Sequence, residues 1–426
     1  MDLSNASPLK LRADAYRCSV AIELMSKLIL YFVTACLIWA VAVAGDSDRS
    51  RRLNLPERPF QYGNDQLPKH FEAVAKRRDN TPPVNPITDH GATLGRVLFY
   101  DPVLSVNASI SCASCHRQEL AFTDAKQFSV GFDGKPVTRN SMSLVNARYY
   151  ASGRFFWDER AATLEEQVLM PIGNSVEMGH SLNQLVPQLQ ADPIYAALFQ
   201  NAFGSDRVSA DGIAKALAQF IRSIVSYRSR FDAGRAMVAS VDDPFPNFTE
   251  QENYGKQQFL HRGGCAKCHL ADQASTGEIA HIDDAATVEV STRSSQRQSA
   301  FFYVEAATVN GIDGDLMGAD GGVGGYTKDA ASFGAFKVSS LRNVELTAPY
   351  MHDGRFLTLD RVLEHYNWSV KPHPNLDPRL RDIAANGLAL PEREKVALTE
   401  FLKTLTDHKL ISDPRFADPF EPVAVD

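Results

Sequence analysis

Apolar positions recur at helical spacing in four stretches of this chain, and strand-like alternation is scarce. Thr88 to Tyr100 places Leu94, Val97 and Leu98 on one helical face. Ile213, Leu217, Phe220, Ile224 and Tyr227 follow one another every three or four residues. Thr249-Glu-Gln-Glu252 is a capping box that opens a helix running through Leu260. Pro391 begins a helix with Leu398, Phe401, Leu402 and Leu405 on one face. The pattern predicts a mainly α fold with long irregular loops. At 426 residues the chain can form two domains, with Asp243-Pro-Phe-Pro-Asn247 as the linker. The expected division is 86–245 and 246–426, preceded by a polar, proline-bearing arm over 45–85 that lies on the first domain or is partly disordered. The proline-rich tail Ser412 to Asp426 is expected to be peripheral. Asp272 to Ala307 is polar without a period, and Gly311 to Gly325 reads as a loop covering a site.

One apolar run differs from the rest. Leu28 to Ala44 is uncharged throughout, follows Lys10, Arg12, Arg17 and Lys27, and ends in Ala42-Val43-Ala44. This reads as a secretory signal over 1–44, with a retained membrane anchor as the alternative. Either way the folded part lies outside the cytoplasm, in the periplasm. The net charge is −7 and no Lys/Arg cluster offers a phosphate-binding stripe, so nucleic acid is not expected as a partner.

Two of the six cysteines, Cys18 and Cys36, lie in this leader. The other four form Cys112-Ala-Ser-Cys115-His116 and Cys265-Ala-Lys-Cys268-His269, one motif in each expected domain. Two C-x-x-C-H units are the attachment pattern of haem c, in which both thiols add to the porphyrin and the histidine ligates iron. A dithiol redox site would need a thioredoxin-like strand–helix pattern, and none precedes either motif. A zinc site built from both pairs would leave His116 and His269 unexplained. Each motif is entered from a helix, as in cytochrome c domains.

From about Gly91 to Leu405 the chain resembles the bacterial di-haem cytochrome c peroxidases, the family that includes MauG. The most specific segments are Ser111 to His116, Phe155-Phe-Trp-Asp-Glu-Arg160, Pro171 to Gly179, and Leu341-Arg-Asn343 through Gly354. The resemblance implies two cytochrome c-like haem domains: an N-terminal haem that reacts with hydrogen peroxide and a C-terminal haem that transfers electrons. It implies that Trp157 bridges the haems and that Gln167, Pro171 and Glu177 form the distal pocket of the first. A carboxylate above the iron can take a proton from peroxide and return it to the departing oxygen. The resemblance also implies a calcium ion held by Asn140, Thr347 and Pro349, the last two through backbone carbonyls, hard donors that suit calcium.

Two positions depart from the standard peroxidase pattern. Reductively activated members carry a displaceable histidine a short way past the first C-x-x-C-H, and at that place this chain has Phe132. The first haem is therefore expected to be open without activation, as in MauG. Where the C-terminal haem of standard members has a methionine ligand, this chain has Tyr366, with His352, His365 and Met351 as alternatives. An anionic phenolate favours higher oxidation states and should lower the potential. The expected partners are peroxide and a small c-type cytochrome or cupredoxin donor, or a protein whose tryptophan or tyrosine is oxidised. A non-catalytic electron carrier is the third reading, and Glu177 with an open first haem counts against it.

Overall fold

Five helices frame the protein: α1 (Lys69–Arg78), α2 (Asp89–Tyr100), α3 (Ala210–Ser223), α4 (Glu250–Leu260) and α5 (Glu392–Lys403). The computed structural model describes residues 52–63, 66–150, 152–269, 306–314 and 320–421. The signal-like run, most of Asp272 to Ala307 and the end of the tail beyond 421 lie outside the described residues. Among the described residues, β-structure is confined to isolated bridges. No described helix is long and apolar enough to cross a membrane.

The helix ends follow local chemistry. Thr88 caps α2 by accepting the Gly91 N–H, and Thr249 and Glu252 form the predicted capping box at α4. Helix α3 stops at Ser223, short of the periodic residues Ile224 and Tyr227. The Asn146 N–H donates to the Ile224 carbonyl and the Asn146 side chain accepts from the Ser226 N–H, which draws the chain out of the helix.

Two helix pairs organise the unit formed by residues 55–419. Helix α2 crosses α3 at Gly95, where a Cβ would lie 2.0 Å from the Ala216 carbonyl oxygen. Helix α4 crosses α5 at Gly255, where a Cβ would lie 1.9 Å from the Ala397 carbonyl oxygen. Phe220 and Phe401, each one helical turn beyond its alanine, close the two contacts. Backbone cannot yield as a side chain can, so Gly95→Ala must part the helices. It is expected to cost about 1–3 kcal/mol in thermal unfolding. Gly173→Ala, where a Cβ meets nothing within 4 Å, should be near neutral.

The likeness of the halves extends beyond these helices. Phe155 pairs with Ala161 and Tyr350 with Phe356, two antiparallel bridges that enclose loops of equal length, one in each half. Within each, two residues have positive φ at matching places: Phe156 (68°) and Glu159 (53°), then Met351 (76°) and Gly354 (62°). Thr163 and Thr358 then cap equivalent helices. Asn146 and Asn343, with φ of 60° and 61°, bind the chain after α3 and α5 in the same way. Reciprocal bonds join the halves, Asn140 N–H to the His352 carbonyl and Lys337 N–H to the Trp157 carbonyl, both 2.8 Å.

Three polar segments are packed by buried aromatic residues: the arm, the linker and the tail that was expected to be peripheral. Tyr62 and Phe71 of the arm are 1% and 0% exposed. His70 Nε2 lies 3.1 Å from Asp232, which also takes two 2.8 Å bonds from the buried Arg342 guanidinium. Burial alone would raise the Asp232 pKa, but Arg342 and His70 hold it far below the usual carboxylate range. In the linker, Phe245 is buried and Lys256 donates to the Val241 and Asp243 carbonyls. In the tail, Phe416 is 0% exposed and its carbonyl accepts from Tyr100. In each case an aromatic anchor outweighs the polar average of its segment.

Candidate active site

Cys112–Cys115 forms one helical turn, capped reciprocally by Ser111 and Ser114. The chain then doubles back through Ala121 and Phe122, both at positive φ, so that the Phe122 carbonyl accepts from His116 Nδ1 at 2.9 Å. A carbonyl only accepts, so the proton sits on Nδ1 and the Nε2 lone pair is left able to ligate. Burial lowers the His116 pKa and keeps the ring neutral. Burial also pushes the Cys112 thiol up to about 12 and raises Cys115. Neither pair forms a disulfide, and no group of three metal-ligating His, Cys, Asp or Glu exists among the described residues.

Cys112, Cys115 and His116 line a cavity of about 690 Å³, and Trp157, Gln167, Pro171 and Glu177 line the same one. Residues spread along the chain from Cys112 to Glu177 thus converge on one space. Asn174, which sequence reasoning missed, sets Glu177. Its Oδ1 accepts from the Val176 and Glu177 N–H groups, and its Nδ2 donates to Glu177 Oε1 at 2.8 Å. The Asn-x-x-Glu spacing inside the best-matched segment was the available signal. Burial raises the Glu177 pKa, opposed by the Arg160 guanidinium.

Phe132 does not line this cavity. Its N–H donates to the Glu177 carbonyl at 2.9 Å, and its ring rests on Gly179. Gly179 has φ +64°, and a Cβ there would meet the ring at 2.4 Å. Phe132 thus braces the Glu177 loop from outside.

Trp157 is half-buried, and its Nε1 donates to the Asn140 carbonyl at 2.8 Å. Its ring meets that of His352 edge-on at 6.5 Å, and His352 stacks on Phe336 at 3.7 Å. By the repeat of the two bridged loops, His352 is the counterpart of Trp157 and Tyr366 the counterpart of Pro171. Arg139, Arg160 and Lys337, none predicted, also line the cavity.

At the second motif Ala266–His269 is again one helical turn. Burial pushes Cys265 up to about 12 and raises Cys268. Tyr366 is half-buried in the π-helical turn His365–Ser369, a local feature frequent at functional sites. Burial raises its pKa, and the thiols of Cys268 and Cys265 beside it add to the rise. The alternatives have contacts of their own. His365 Nε2 lies 3.1 Å from the Asn310 carbonyl, Met351 Sδ accepts from Asn310 Nδ2 at 3.5 Å, and His352 stacks on Phe336. Asn310, a neighbour the sequence did not reveal, offsets part of the rise in the Tyr366 pKa.

Each implied calcium ligand has its own local partners. Asn140 is buried, and its Nδ2 donates to the Lys126 and Gln127 carbonyls. The Thr347 hydroxyl bonds to the Val344 carbonyl, and the Ala348–Pro349 peptide is cis.

The first cavity suits a haem. Two half-buried thiols and a neutral imidazole line it with apolar Phe99, Leu164, Leu217 and Ile221, and the volume falls in the range of about 300–1,000 Å³ typical of ligand sites. Comparison with known proteins agrees. The family model for di-haem cytochrome c peroxidase matches residues 89–237. The chain is 32% identical to "Methylamine utilization protein MauG" of Methylorubrum extorquens over 330 residues, 76% of this chain and 80% of that one. It is 30% identical to "Cytochrome-c peroxidase IdrP1" of Denitromonas iodatirespirans over 355 residues, 80% and 89% of the two chains. A solved MauG-like protein associated with microbial copper homeostasis superimposes with a TM-score of 0.67 at 30% identity, covering 84% of this chain and 99% of its own.

Proposed function

The chain belongs to the di-haem cytochrome c peroxidase family that includes MauG, and on that premise we propose that it reduces hydrogen peroxide to water with electrons from a donor protein. Membership makes it an oxidoreductase acting on peroxide with two haem groups. The observation that carries the finer reading is the single cavity shared by Cys112, Cys115, His116, Trp157 and Glu177.

In this reading Cys112 and Cys115 attach the first haem by thioether bonds and His116 ligates its iron. Cys265, Cys268 and His269 would do the same for the second, which Tyr366 would also ligate. When bound, the first haem supplies the redox centre at which the O–O bond is cleaved. Glu177 takes the proton from the inner oxygen of peroxide and returns it to the outer oxygen, which leaves as water. The overall balance is one peroxide, two electrons and two protons to two waters. Asn174 holds the Glu177 carboxylate at the cavity wall, and Gln167 and Pro171 shape the space beside it. The Trp157 indole, fixed by the Asn140 carbonyl, gives electrons an aromatic route from the second half. A calcium ion at Asn140, Thr347 and Pro349, and export to the periplasm, belong to the same proposal.

Tyr366 favours a second reading. A phenolate in place of methionine would lower the potential of the second haem and help the pair hold oxidising equivalents for a partner protein's tryptophan or tyrosine. Stopped-flow mixing of the fully oxidised protein with peroxide and a reduced c-type cytochrome separates the two. Donor oxidation at two electrons per peroxide, with no prior reduction step, is the expected result. A protein inert until half-reduced would sink the argument from Phe132. Rapid peroxide consumption with an unoxidised donor would favour the protein-modifying role.

A further inference from the structure

Three cationic side chains line the first cavity, and two of them already have carboxylates. Arg139 binds Asp158 and Asp320, each at 2.6 Å. Arg160 binds Asp158 at 2.9 Å. Lys337 comes from the other half of the molecule and has no such partner among the described residues. It is 7% exposed, and its ammonium lies 3.7 Å from the Tyr150 ring centroid and 4.8 Å from that of Phe155. The hydrogen bond from its Nζ is a long 3.4 Å contact to the Arg154 carbonyl. Glu159 acts on it from a distance, but that carboxylate accepts the Tyr150 hydroxyl.

A buried ammonium is costly unless an anion accompanies it. Two aromatic faces compensate only in part. Burial pushes the Lys337 pKa down to about 7, which shows how poorly its own surroundings support the charge. The backbone holds the residue firmly, since its N–H donates to the Trp157 carbonyl at 2.8 Å.

We propose that Lys337 is a positioning residue whose ammonium pairs with a propionate carboxylate of the haem that the first cavity takes. The inference rests on the haem reading above. Haem brings two carboxylates into the cavity, and Lys337 is the lining cation without one among the described residues. The second half of the chain thereby supplies a charged contact to the first haem, beside the bridging tryptophan.

The test uses purified di-haem protein and its Lys337→Met and Lys337→Arg variants. Haem content comes from pyridine haemochrome spectra, and the two midpoint potentials from spectroelectrochemical titration. A nearby cation favours the reduced haem, so Lys337→Met is expected to lower the first potential and leave the second in place. Lys337→Arg should stay close to wild type. Loss of the first haem in the Met variant with retention in the Arg variant would support the pairing equally. An unchanged potential in Lys337→Met would overturn it. So would a shift or haem loss in Lys337→Arg as large as that in Lys337→Met, because shape and not charge would then matter. Wild-type protein that holds no haem would instead sink the underlying haem reading.

Discussion

Glu177→Gln is expected to lower peroxide turnover on the order of 10²-fold, about 2.7 kcal/mol of transition-state stabilisation, with haem content intact. The amide keeps the size of the side chain and can still meet Asn174, but it can neither take nor return a proton. Steady-state rates with a reduced c-type cytochrome would measure the loss. The pH profile gives an independent check. Burial raises the Glu177 pKa, so its carboxylate appears only at higher pH than an exposed glutamate would need. The acidic limb of kcat/KM should therefore lie above the ordinary carboxylate range in wild type and vanish in the variant. An unchanged rate and limb would return Glu177 to a structural role in its loop.

Pro171→Tyr is expected to abolish the reaction of the oxidised protein with peroxide. In the duplicated framework the interval from Phe155 to Pro171 equals the interval from Tyr350 to Tyr366. A proline has no donor for iron, and the phenol at the equivalent place lies beside the second cysteine pair. Introducing tyrosine at 171 should make the first centre resemble the second, closed on both sides. The absorption and paramagnetic resonance spectra would change from one open and one closed haem to two closed ones. Pro171→Ala should keep the open spectrum and most of the rate. If Pro171→Tyr kept both, the repeat would not govern ligation.

The sequence alone carried much of this. Two C-x-x-C-H units leave no cysteine over beyond residue 44, and their chemistry admits few alternatives. Capping residues at Thr88 and Thr249 and apolar faces on the framework helices were legible because both are local effects. The resemblance supplied Trp157, Gln167, Pro171 and Glu177, and the structure brings all four to the cavity of the first motif.

The repeat of the Trp157 and His352 segments was not legible, for a physical reason. The halves share backbone conformation more than residue type. Positive φ falls on Phe156, Glu159 and Met351, where side chains give no hint of it, and only Gly354 is a glycine. The packed tail escaped for a related reason: Phe416 is a single aromatic anchor in a polar segment, and its value depends on distant partners. Asn174, Asn310 and Lys337 are polar residues whose roles come from what surrounds them. Covalent chemistry and helix periodicity are local, so the sequence determined the two haem motifs and the framework. Burial, charge pairing and the approach of one half to the other are non-local. Only the tertiary structure decided that Glu177 and His116 line one cavity and that Lys337 reaches it from the other half.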